Sequence, residues 1–110
     1  MEQINKQLLS ALNECIAACN HCAASCLAED DVTMMADCIR TDLDCADMCT
    51  LVAKFVARNS AHAQHVLDEC IEICDACAKE CEKHADHHEH CKQCAEACRK
   101  CVEACKVAKA

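Results

Sequence analysis

Apolar and polar positions follow a helical rhythm along nearly the whole chain. The clearest stretch is Cys91, Cys94, Cys98, Cys101 and Cys105, at steps of three, four, three and four residues. Residues three and four apart share one face of an α-helix, so this spacing predicts a single buried stripe. Comparable stripes run through Leu8, Leu12, Cys15, Cys19, Cys22 and Cys26, through Cys38, Cys45, Cys49, Val52 and Val56, and through Leu67, Cys70, Cys74, Cys77 and Cys81. The pattern predicts helices over about 3–28, 32–58, 61–85 and 87–107. Between them, Asp30 or Asp31 is available to cap the second helix, and Asn59-Ser60 pairs a left-handed stop with an N-cap. Asp86, followed three residues on by Glu89, reads as a capping box opening the fourth. Long helices joined by short turns must pack antiparallel. The expectation is an all-α, up-down-up-down four-helix bundle forming a single domain over residues 1–110.

The bundle reads as a duplicated helical hairpin. The segment from Asn13 to Cys26 aligns with Asp68 to Cys81, so that all four cysteines coincide, as do Glu14 with Glu69, Ile16 with Ile71 and Ala23 with Ala78. Beyond the first turn the offset grows by one, and Cys38, Cys45 and Cys49 fall on Cys94, Cys101 and Cys105. Two positions break the match: Met35 stands opposite Cys91, and Asp42 opposite Cys98. The stripes also have a polarity along the bundle. Leu8, Leu12, Val52, Val56 and Leu67, with Phe55 nearby, form an apolar end. Met34, Met35, His84, His87, His88 and His90 gather at the other, beside the hairpin turns.

Composition narrows the chemistry. The chain has no Gly and no Pro, one aromatic residue, sixteen cysteines and a formal charge of −8. No basic stripe exists to neutralise nucleic-acid phosphates, and a net acidic surface is unsuited to an anionic membrane. Met1-Glu2-Gln3-Ile4-Asn5-Lys6 lacks the charge and apolar run of a secretory signal, and no stretch is apolar enough to span a bilayer. The expectation is a cytoplasmic protein whose thiols stay reduced.

Disulfides fit these thiols poorly. Cysteines at i and i+4 hold their Cβ atoms roughly 5–6 Å apart, beyond the ~3.5–4.5 Å a disulfide spans. Cysteine can serve as a small hydrophobe, but sixteen of them leave unfilled space along the axis. Metal would fill it, and charge balance chooses which. Four thiolates around Zn²⁺ leave two negative charges per site and require tetrahedral convergence. Cu(I) is soft and singly charged, so thiolates that each bridge two ions give a neutral core. Sixteen sulfurs would hold on the order of 16 Cu(I) on that balance. Seven Cys-x-x-x-Cys pairs suit the scheme: Cys15/Cys19, Cys22/Cys26, Cys45/Cys49, Cys70/Cys74, Cys77/Cys81, Cys94/Cys98 and Cys101/Cys105.

In its length, its duplicated Cys-x-x-x-Cys-x-x-Cys-x-x-x-Cys and its N-terminus, the chain resembles the cytosolic bacterial copper storage proteins. The resemblance covers essentially the whole sequence. It implies a non-enzymatic store for many Cu(I) ions, a homotetramer of four-helix bundles, and exchange with a copper chaperone or efflux system. It also implies that all sixteen cysteines are ligands, with Met35, His84 and His87 lining the mouth that admits copper. The alternatives are a metallothionein-like Zn²⁺ or Cd²⁺ buffer and a dithiol redox protein. The redox reading rests on Cys19-x-x-Cys22, Cys74-x-x-Cys77 and Cys91-x-x-Cys94, which lie mostly mid-helix on the buried face rather than exposed at a helix start. Asp42 occupies a thiol slot in the seam, and three fates are open to it: pairing, protonation or contact with metal. His21, His62 and His65 fall off the stripes and read as surface residues.

Overall fold

Sequences this rich in helix formers and free of Gly and Pro have little alternative to helix, and four helices carry the chain. They are α1 (Glu2–Leu27), α2 (Ala36–Ala57), α3 (Ala63–Glu82) and α4 (Glu89–Lys109), with a 3-10 turn at Thr33–Met35 leading into α2. The computed structural model describes residues 2–109. Each helix packs against the two that neighbour it in a square, α1 on α2 and α4, and α3 on α2 and α4. The molecule measures 45 × 19 × 18 Å. Two helices of about 10 Å diameter side by side account for both short dimensions, as a two-by-two bundle requires.

The turns show how the backbone is satisfied at the ends. At Asn59 the chain takes a left-handed conformation, φ 57°. This lets the Ser60 N–H reach back to the Phe55 carbonyl at 2.9 Å, closing α2 in the manner of a Schellman motif. The Ser60 hydroxyl then accepts the His62 N–H at 3.1 Å, one turn ahead of α3. At the opposite end Asp31 accepts the Met34 N–H at 3.2 Å, which caps the 3-10 turn. The approach to α4 differs from the capping-box expectation. His88 supplies the carbonyl that accepts the Cys91 and Lys92 N–H groups, at 3.1 and 3.2 Å. The reason is local: residues 83–88 continue from α3 as tight turns whose N–H groups bond to Glu80, Cys81, Glu82 and His84 carbonyls. Asp86 is thereby held in the turn, three residues before α4 begins.

Inside, two kinds of packing meet. Leu8, Leu12, Val52 and Leu67 are buried together at the end holding the α2–α3 turn, with Val56 just beneath the surface. The remainder of the axis is sulfur: all sixteen cysteines are fully buried and none forms a disulfide. Outside, Arg99 on α4 donates to Asp75 at 2.6 Å and to Glu82 at 2.9 and 3.0 Å, both on α3. Such exposed pairs fix register more than they stabilise.

Candidate metal centre

Helical spacing brings four sulfur stripes to one axis, and the sulfurs touch across as well as along the helices. Near the apolar end, Cys74 of α3 lies 3.4 Å from Cys45, 3.6 Å from Cys49, 3.7 Å from Cys70 and 3.8 Å from Cys101. Above it, Cys15 meets Cys45 at 3.6 Å and Cys98 at 3.8 Å, and Cys19 meets Cys94 at 3.7 Å. At the other end, Cys22 is 3.9 Å from both Cys26 and Cys91 and 4.0 Å from Cys38, which in turn touches Cys81 at 3.6 Å.

Where these two sets meet stands Asp42. Its Oδ1 accepts the Cys77, Cys94 and Cys81 thiols at 3.2, 3.3 and 3.4 Å, and Cys38 reaches Oδ2 at 3.8 Å. Asp42 has no exposed surface. Burial, reinforced by negative charge on neighbouring sulfurs, pushes its carboxyl up to about 12, so it is held protonated. Of the fates open to it from sequence, the metal-free core therefore takes protonation together with thiol hydrogen bonds. Every buried side-chain nitrogen or oxygen among the described residues has a partner.

Ligand atoms cluster in overlapping groups. Within 4.8 Å of one another lie Cys49, Cys70, Cys74 and Cys101; Cys15, Cys45, Cys49 and Cys74; Cys15, Cys19, Cys45 and Cys98; and Cys19, Cys77, Cys94 and Cys98. Each group shares two sulfurs with the next. Sharing sulfurs builds a lattice of bridging thiolates, and singly charged Cu(I) leaves such a lattice neutral where doubly charged, four-coordinate ions such as Zn²⁺ do not match one ion to one sulfur.

The histidine-rich end is more selective than its composition suggests. Met35 is buried there, 1 % exposed. His84 is half-buried and faces Glu80 at 3.7 Å. His87 is exposed and lines an open surface hollow with Asp86, His88 and Lys92. His90 is the imidazole that reaches sulfur, its Nδ1 3.4 Å from Cys22 and 3.6 Å from Cys91. With Cys22, Cys26 and Cys91 it forms a further four-atom group. The helical stripe could not single it out, because His90 precedes Cys91 by one position and its direction depends on where α4 begins.

Electrostatics at this end favour one thiolate. Hydrogen bonds from Cys38 and Cys81 lower the Cys22 thiol to about 5, with His90 helping against burial. Burial and the charge of Cys22 raise its neighbours Cys26 and Cys91. Of the sulfurs nearest the turns, Cys22, with His90 beside it, is thus the one that gives up its proton most readily. His21, His62 and His65 are exposed on the bundle surface.

Known proteins share this arrangement. The sequence model of the copper storage protein family (Csp) matches residues 1–110. The copper storage protein Ccsp from Streptomyces lividans, loaded with 10 copper equivalents, superposes with a TM-score of 0.95 at 40% identity, covering 97% of this chain and 84% of that one. The Cu(I)-bound copper storage protein BsCsp3 superposes with a TM-score of 0.91 at 38% identity, covering 97% and 99%. The uncharacterised cysteine-rich protein YhjQ of Bacillus subtilis (strain 168) is 41% identical over 74 residues, 67% of this chain and 68% of its own length.

Proposed function

The chain belongs to the copper storage protein family, and on that premise we propose that its core thiols sequester Cu(I) in quantity, each sulfur bridging neighbouring ions. The observation that carries this reading is the sharing of sulfurs between successive ligand groups, Cys15 and Cys45 between one pair and Cys19 and Cys98 between the next. Shared ligands make a continuous store; separate ones would make discrete centres. The sixteen cysteines are the ligands. Cys22, Cys26, Cys91 and His90 form the outermost group, and Met35 and His84 flank it; His87 stands in the exposed turn. The work is binding, and the role is storage rather than catalysis.

Loading exchanges thiol protons for copper, so a filled core stays near neutral where an empty deprotonated one would not. Copper is admitted at the histidine-rich end, because the apolar end is closed by Leu8, Leu12, Val52 and Leu67. The Streptomyces relative is described as cytosolic, and a reducing cytoplasm is the compartment that keeps buried thiols available here. Leu43 and Leu51 on α2 present exposed apolar surface that association into a homotetramer would cover. A chaperone or efflux protein exchanging Cu(I) would meet the bundle at its histidine-rich end.

Anaerobic titration of the reduced protein tests this. Uptake of about one Cu(I) per thiol, with parallel loss of thiol reactivity, is expected from the charge balance. Saturation at about four ions or fewer, or a Zn²⁺ affinity above that for Cu(I), would replace storage with discrete tetrahedral sites.

A further inference from the structure

Glu29 lies in the turn after α1, outside every stripe that the helical pattern picks out. Its carboxylate nonetheless spans to the start of α4. A single oxygen, Oε2, lies 2.8 Å from Nε2 of His90, within hydrogen-bonding geometry, and 3.1 Å from Nδ1 of His88. The opposite ring nitrogen of His90 is the one facing Cys22 and Cys91. The imidazole is therefore held from behind by an anion and presented forwards to two sulfurs. His90 is almost enclosed, its side chain 13% exposed, while Glu29 is 31% exposed at the rim.

We infer that Glu29 is a positioning residue for copper loading: by accepting the Nε2–H of His90 it fixes the ring with an unprotonated Nδ1 aimed at Cys22 and Cys91. The inference rests on the storage function proposed above. Carboxylate behind imidazole behind metal is a general way of fixing a tautomer and strengthening a ligand. Two features argue for it here over a surface ion pair that happens to join two turns. The bond goes to the one imidazole in contact with core sulfur, and it occupies the nitrogen that would otherwise be free to compete with Nδ1 for a proton-free lone pair. Without the carboxylate, Nε2–H would lose its 2.8 Å acceptor, and either ring nitrogen could carry the proton.

The test combines a metal-free signature with a loading rate. In reduced, metal-free protein, the His90 Nε2–H should give a slowly exchanging downfield proton resonance, retained in E29Q and lost in E29A. Glutamine keeps an oxygen acceptor at the same place. Anaerobic stopped-flow mixing with Cu(I) bicinchoninate should show the first equivalent taken up about tenfold more slowly by E29A, the low end of the loss typical of such partners. H90A should be slowed at least as much, and the double variant E29A/H90A no more than H90A alone. E29Q should load nearer the wild-type rate than E29A does. Total capacity should be unchanged in E29A. Wild-type loading by E29A, or losses that multiply in the double variant, would overturn the assignment. Failure of the wild-type protein to exceed four ions would instead remove the storage function, with the resonance still reporting whether Glu29 holds the ring.

Discussion

The Asp42 carboxyl lies 3.2 Å from the Cys77 sulfur, and its other side-chain hydrogen-bond partners, Cys38, Cys81 and Cys94, are thiols too. A carboxyl pushed up to about 12 is neutral in the folded protein at physiological pH but ionised in the unfolded chain. The unfolded state therefore binds fewer protons, and stability falls as pH rises above the ordinary aspartate range. Between pH 5 and 8 the metal-free protein should lose up to about 1.4 kcal/mol per pH unit from this group. Asp42→Asn keeps the shape and removes the ionisation. Urea denaturation of the variant should show a flatter pH profile and higher stability at pH 7 than wild type. An unchanged slope would mean that Asp42 is charged in the fold.

Capacity and admission should separate by position. Cys74 touches four other sulfurs deep in the column, while Cys22 sits next to His90. Cys74→Ser should lower the Cu(I) endpoint by about one or two ions, as the proposed bridging of two ions by each thiolate requires, and leave the initial rate unchanged. Cys22→Ser should slow the first phase as well as lowering the endpoint. Stopped-flow and equilibrium titration on the same samples distinguish the two.

Leu67 is 1% exposed in the apolar cap and carries no atom that can ligate copper. Leu67→Ala should cost about 2–5 kcal/mol in the metal-free protein, as large-to-small core changes do. The copper endpoint should be that of wild type. A lowered endpoint would show that the cap shapes the store itself.

Folding should not wait for metal. The helices, their caps and the hydrocarbon end are complete without it, and the circular dichroism of the reduced apo protein should already be strongly helical. Cu(I) binds the native lattice in preference to the unfolded chain, so Tm should rise with loading and return when a competing chelator strips the metal. A random-coil apo spectrum would make this a metal-folded protein of another kind.

Much of this molecule was legible because one spacing does two jobs. The three-four rhythm that builds a helix also places Cys91, Cys94, Cys98, Cys101 and Cys105 on one line, so reading the fold was reading the site. The repeat exposed Asp42 as an odd residue, but only packing shows which thiols surround it and that it links the two sulfur sets. The turns were harder. Asp86 and Glu89 have the letters of a capping box, yet hydrogen bonds from residues 83–85 back onto α3, and from His87 and His88 to His84, delay the next helix until Glu89. That delay decides which of four nearby histidines meets sulfur. It also brings Glu29 against His90 across 61 positions of sequence, a contact no local pattern encodes.

The hydrocarbon cap has a consequence for timing. On the proposed reading, a column closed by Leu8, Leu12, Val52 and Leu67 at its foot would exchange with the outside at its head. With exchange at one end, withdrawal would begin with the ions nearest that end. The protein would then be a stack that works last in, first out. Copper taken up in one episode of excess would remain underneath whatever is deposited and spent in the next, so the deepest ions would be a reserve drawn on only when the upper layers are gone.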